Sequence, residues 1–183
     1  MRKYQIATLL AYLIATITLI ALTVHATDGN LIYTLDDPYI HLAVAENILR
    51  GGYGVNLTEF SSPSSSILYP FLLTLPMMIG IADWGPLLIG IIANTFVIWL
   101  MAGFFWRYAI SSNNEKTGNL IFIISVPFLL LSINAEALPL TGMEHPIHVL
   151  GSVLVIIGLV DMVQQNRVPV HLLSTSIEIF VEI

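Results

Sequence analysis

Cysteine is missing from this chain, and charge nearly so. With no Cys among 183 residues there is no disulfide framework and no thiolate metal centre. Charged residues make up 10%, against about 25% in an ordinary soluble protein. Six Lys and Arg are too few for a basic patch, so nucleic-acid binding is excluded as a main role. The net charge of -6 comes from thinly spread groups and carries no functional message. Five His remain as soft ligands.

What the chain has instead is apolar length. It is 56% hydrophobic, with a mean hydropathy of +0.85. That predicts an all-α polytopic membrane protein with about four transmembrane helices. Ile6–Ala26 is an uninterrupted apolar run that reaches about 31 Å as a helix, enough for a hydrocarbon core of about 30 Å. Arg2 and Lys3 before it favour a cytoplasmic N-terminus. A cleaved signal peptide is the alternative, but the run is long for one, and Val24-His25-Ala26 is a loose cleavage site. Pro86–Trp106 and Pro146–Met162 are further spans. Leu120–Ile133 becomes one if extended to Leu138. Ile67–Ala82 is short and holds Pro70 and Pro76. If it crosses, there are five spans and Arg107 and Lys116 fall outside. If it is re-entrant or interfacial, they fall inside, as basic residues prefer. The second arrangement is preferred, and it puts the loop at Thr141–Pro146 on the same side as Asp36 and Asp37.

Asp28–Ser66 is long for a plain connection. Within it Ile40, Ala43, Val44, Asn47 and Ile48 recur at helical spacing, predicting a helix along the membrane surface. Glu46 and Arg50 are placed to pair, and Gly51 and Gly52 to end the helix. Asp37 before Pro38 reads as a helix cap, which leaves Asp36 unexplained. Adjacent carboxylates repel unless a cation or a proton intervenes. His41 lies one turn beyond Asp37 and reads either as an interfacial polar residue or as part of a site. The run "EFSSPSSSILYP" reads as a polar turn opening the next helix, or as small donors lining a phosphate or sugar pocket. Asn56-Leu57-Thr58 is a glycosylation sequon. A second polar island, "NAEALPLTGMEHPIHVL", places Glu136 and Glu144 at the edges of apolar segments, where ionisable groups default to functional hypotheses. Glu144, His145 and His148 offer ligands to a divalent ion, or simply cap the next span. The H-E-x-x-H pattern of zinc proteases is absent.

Taken in order, "DDPYIHLAVAENILRGGYGVN", "EFSSPSSSILYPFLL" and "TGMEHPIHVL" resemble the N-terminal part of bacterial GT-C-fold glycosyltransferases that use polyprenyl-phosphate sugars. Asp36, Asp37 and Tyr39 match the family's acidic pair and following Tyr. Gly54 and Asn56 match its turn, and Ser62 and Pro63 its Ser-Pro step. Gly142, Glu144 and Pro146 match a later stretch, from which Met143 and His145 depart. The resemblance covers about Leu35–Val160. It implies transfer of a sugar from a polyprenyl-phosphate donor to a glycan, lipid or protein acceptor on the extracytoplasmic face of the inner (plasma) membrane. It implies Asp36 or Asp37 as catalytic, with Tyr39, Ser62 and Glu144 at the substrate; His41, Ser64 and His145 are added as substrate-binding residues from their place beside these motifs. No cofactor is demanded. A divalent cation such as Mg2+ or Mn2+, held by Asp36 and Asp37, is the one the chemistry favours. Family members are much longer, so residues 1–162 are expected to be the transmembrane module of a larger enzyme. Residues 163–183 are expected to be a tail of no natural domain, and the chain a fragment. The alternative is a non-enzymatic transport or assembly subunit, in which paired acids bind a cation.

Overall fold

The computed structural model describes residues 2–58, 60–61, 63–107, 115–132 and 134–164. Six α-helices account for most of them: α1 (Arg2–Ala26), α2 (Asp37–Leu49), α3 (Leu68–Met78), α4 (Gly85–Phe105), α5 (Glu115–Ser132) and α6 (His145–Gln164). Short 3-10 turns at Ala82–Trp84 and Leu138–Thr141 lead into α4 and towards α6. No strand occurs among the described residues. The expected all-α class therefore holds. Three segments, Lys3–Ala26, Ala82–Phe105 and His145–Gln164, are long and apolar enough to cross a membrane. The chain divides into two compact units, Met1–Leu150 and Gly151–Ile183. In the second, the described residues continue α6 with exposed Leu154, Val155, Ile156 and Leu159. The sequence-predicted tail from 165 onward lies outside the described residues.

The helix ends follow from backbone hydrogen bonding. At the end of α2 the Gly52 amide donates to the Asn47 carbonyl and the Gly51 amide to the Ile48 carbonyl, with Gly51 at φ +86°. This paired closure needs a left-handed residue, which glycine supplies without a Cβ clash. The same pair of bonds closes α5, from Ala135 to Leu130 and from Asn134 to Leu131, with Asn134 at φ +50°. The extension of that helix to Leu138 is thus stopped at Ser132.

α1 packs inside out for a soluble helix. Gln5, Thr8, Tyr12 and Thr16 recur along one face and are buried, while Ile6, Leu10, Ile14 and Ile17 are 45 to 65% exposed. Exposed Ile and Leu on a helix long and apolar enough to cross a membrane are the face that lipid would solvate. The Gln5 side-chain amide donates to the Trp99 carbonyl at 3.1 Å, near the start of α1 and the end of α4. Beyond the other end of α1, the Tyr33 phenol donates to the Asp83 carbonyl at 2.6 Å and accepts from the Leu87 amide at 3.1 Å. α1 and α4 therefore run antiparallel, and the chain leaves α1 and enters α4 at the same end. Everything between them, α2 and α3 included, begins and finishes there. α3 has 11 residues, about 16 Å of helix, half of a hydrocarbon core.

α2 packs on α3 through Leu42, Ala45, Tyr69 and Leu73. Its buried residues are Pro38, His41, Leu42, Val44, Ala45 and Asn47. That face is rotated from the expected stripe: Ile40, Ala43 and Ile48 are only half-buried. A helix apolar on most sides carries no phase in its sequence, so its neighbour decides which side is covered. The expected Glu46–Arg50 pair forms, but both side chains are more than half exposed, so it adds little stability.

Candidate functional site

Three segments far apart in sequence meet at the end of the α1–α4 pair. α2 supplies His41, the serine run before α3 supplies Ser64 and Ser65, and the turn before α6 supplies Glu144. His41 is wholly buried and Glu144 is 3% exposed. The His41 Nε2 and Glu144 Oε2 atoms stand 3.3 Å apart. No regular hydrogen bond joins them, and each is buried without another partner. The Ser65 hydroxyl donates to Glu144 Oε1 at 2.8 Å. The Ser64 hydroxyl lies 2.8 Å from His41 Nδ1 and 2.6 Å from the Ser66 carbonyl. The Tyr69 ring meets the imidazole edge-on, with centroids 5.1 Å apart, and its phenol donates to the Gly142 carbonyl at 3.0 Å.

Proton placement follows from this geometry. Burial drives the His41 imidazole below its ordinary pKa, against Glu144 and Asp37, whose charges push it up. A neutral ring carries one proton. With that proton on Nε2, the ring points a donor at Glu144, while the single Ser64 proton goes either to Nδ1 or to the Ser66 carbonyl. For Glu144, burial pushes the carboxyl up. Its own backbone amide, the Ser65 hydroxyl and the neighbouring His41 and His145 outweigh that, leaving it below the ordinary carboxylate range. The site therefore holds a buried carboxylate beside a neutral imidazole near neutral pH.

Gly142 makes the junction possible. It adopts φ +70°, and a Cβ there would stand 2.6 Å from Tyr33 Cδ1 and 2.8 and 2.9 Å from Pro38 Cγ and Cβ. Real Cβ contacts are never that short, so the loop before α6 can seat against the start of α2 only through glycine. An apolar groove of about 520 Å3 opens beside Glu144. Leu68, Phe71, Leu72, Leu75 and Ile147 line it, and Ser66, Glu144 and His148 are among its polar lining residues.

The sequence-predicted site residues divide into three groups. His41, Ser64 and Glu144 are brought into direct contact. Asp36, Asp37, Tyr39 and His145 are exposed nearby. Asp37 opens α2 and Asp36 occupies the N-cap, yet Asp36 has helical dihedrals and its side chain makes no capping hydrogen bond. Capping therefore does not account for Asp36. The Tyr39 hydroxyl accepts the Tyr33 amide at 3.0 Å, a turn-stabilising contact. Ser62 lies outside the described residues. Ser65, Tyr69 and Tyr33 were not singled out from the sequence. Ser65 was hidden within a run of serines, and the two tyrosines carry no local signal.

His145 and His148 stand with Glu144 on the first turn of α6, and one ligand atom of each lies within 4.8 Å of the others. Asp36 and Asp37 belong to no such group of three among the described residues. A comparison with protein-family models, curated proteins and solved structures finds no match to this chain.

Proposed function

We propose that the chain is a membrane-embedded module of a GT-C-type glycosyltransferase, crossing the bilayer with α1, α4, α5 and α6 while α2 and α3 lie at one face. The observation that carries this reading is the convergence at Glu144. The acidic segment, the serine segment and the Gly-x-Glu-x-Pro segment of the resemblance meet around one buried carboxylate. The antiparallel α1–α4 pair and the short α3 support a non-crossing 67–82 segment. The N-terminus is then cytoplasmic and the site extracytoplasmic, following Arg2 and Lys3.

In this reading Asp36 or Asp37, exposed at the start of α2, takes the proton of an acceptor hydroxyl. The hydroxyl oxygen bonds to the anomeric carbon, the bond from that carbon to the phosphate oxygen breaks, and polyprenyl phosphate departs. The groove suits an isoprenoid tail, and Ser66 and His148 among its lining residues offer donors to the phosphate. Asp36 and Asp37 supply oxygen ligands, and no third His, Asp or Glu joins them among the described residues. A hard cation such as Mg2+ there would be held largely by substrate phosphate and water.

The test is photocrosslinking with a diazirine-bearing polyprenyl phosphate in membranes containing the chain. Labelling at Phe71, Leu72 or Leu75 is expected, competed by unlabelled polyprenyl phosphate and not by phosphatidic acid. Absence of labelling, or equal competition by phosphatidic acid, refutes the donor-binding reading. A transport subunit would need its acids between the spans; Asp36 and Asp37 lie beyond the end of α1.

A further inference from the structure

We infer that Glu144, His145 and His148 form a binding site for a borderline-soft transition metal ion of the Zn2+ class, distinct from any hard cation at Asp36 and Asp37. Three observations combine. The candidate ligand atoms of the three residues lie within 4.8 Å of one another, close enough for one ion to span. Glu144 Oε2 is buried without a hydrogen-bond partner. Such an orphaned buried carboxylate oxygen is the mark of an ion or water. Thirdly, His41 Nε2, itself buried, faces that same carboxylate at 3.3 Å. This is the outer-sphere imidazole that fixes a ligating group's orientation.

The donor set decides the metal. Two imidazoles and one carboxylate suit Zn2+, Cu2+, Ni2+ or Fe2+ and suit Mg2+ or Ca2+ poorly. Three protein ligands leave at least one coordination position open, as in catalytic rather than structural zinc sites. Glu144 and His148 also line the apolar groove, so the open position lies where a phosphate or another anionic head would enter. The positive end of the α6 dipole opposes a cation at this turn. The Glu144 carboxylate offsets it, and Ser65 holds that carboxylate through its other oxygen. The site stands on residue geometry alone and does not require the glycosyltransferase reading.

The experiment uses the purified full chain in detergent, carried on a tag without histidine, with Co2+ and Zn2+ as probes. One Co2+ per chain is expected, with visible d–d absorption of a nitrogen- and oxygen-ligated centre, displaced by Zn2+ and not by excess Mg2+. His145→Ala and His148→Ala change exposed residues, leave the helical circular dichroism intact, and each abolish the spectrum. His41→Gln keeps the spectrum but weakens affinity about tenfold to a hundredfold, as loss of an outer-sphere partner does. His25→Ala changes nothing. Absence of a Co2+ spectrum, or retention of full affinity in the His145→Ala/His148→Ala double variant, overturns the assignment. So does displacement by Mg2+ at concentrations similar to Zn2+. Had the signal come from scattered surface histidines, His25→Ala would lower the stoichiometry, which also overturns it.

Discussion

Replacing Gly142 by alanine tests whether the loop before α6 is wedged against the start of α2. The added methyl meets two separate costs. At φ +70° an L-residue is disfavoured by about 1–2 kcal/mol. The Cβ would also stand within 3 Å of both Tyr33 and Pro38, and forcing such an overlap costs about 1–3 kcal/mol more. Gly29 separates the two. It lies at φ +88° with nothing within 4 Å of its Cβ position, so Gly29→Ala carries only the backbone cost. Gly151 has the same open space and no unusual φ, so Gly151→Ala should be neutral or slightly stabilising in its helix. The assay is reversible unfolding by SDS in mixed micelles, followed by circular dichroism and tryptophan emission. Gly142→Ala is expected to lose about 1–3 kcal/mol more than Gly29→Ala. A gap below about 0.5 kcal/mol, the size of an ordinary surface change, would refute the wedge and the meeting of the two islands with it.

Further expectations concern the buried pair, the acids and the topology. Both His41 and Glu144 have folded pKa values below their ordinary 6.5 and 4.5, so the unfolded chain binds more protons. Stability is therefore full above 6.5, falls below it as unfolded His41 protonates, and falls again below 4.5 through Glu144. His41→Gln removes the upper fall; an unchanged pH profile in that variant counts against the buried neutral imidazole. A double-mutant cycle of His41→Gln and Glu144→Gln should return a coupling of about 0.5–3 kcal/mol in SDS unfolding, and additivity would show that their contact carries no energy. Asp36→Asn and Asp37→Asn should leave the unfolding midpoint within about 0.5 kcal/mol of wild type while removing sugar transfer. Transfer retained in both variants would sink the catalytic assignment. The chain has no native cysteine, so single cysteines at Asn30, His145 and Lys3 report topology directly. Asn30 and His145 should react with an impermeant thiol reagent from one side and Lys3 only from the other. Opposite sides for Asn30 and His145 would be incompatible with the His41–Glu144 contact.

Much of the architecture was legible before any coordinates. The apolar runs located α1, α4 and α6 to within a few residues, because about 20 consecutive apolar residues have few other stable fates. Gly51 announced the end of α2 through its conformational freedom. The short, proline-containing 67–82 segment reads as non-crossing from two basic residues; the structure gives it an 11-residue helix. The end of α5 falls one residue before the apolar run ends at Ile133, and its conditional extension to Leu138 does not form, because Asn134 in the left-handed region closes the helix.

In helices this apolar, hydrophobicity no longer marks the buried side: α1 buries Gln5, Thr8 and Thr16 and exposes Ile and Leu. That is why the α2 stripe was misplaced by a rotation, and why the buried polar face of α1 had no expectation attached to it. The two acidic islands were visible as islands from charge scarcity alone. Their union was not. His41 and Glu144 are 103 positions apart in the chain, and nothing local to either names the other. The packing of α2 on α3, with Gly142 seated against Tyr33 and Pro38, brings them together. The sequence by itself thus determined where the long apolar helices of the described residues lie, through the length of the apolar runs and glycine conformation. Only the tertiary structure decided which polar groups share a pocket, because long-range packing selects those partners and no local rule encodes them.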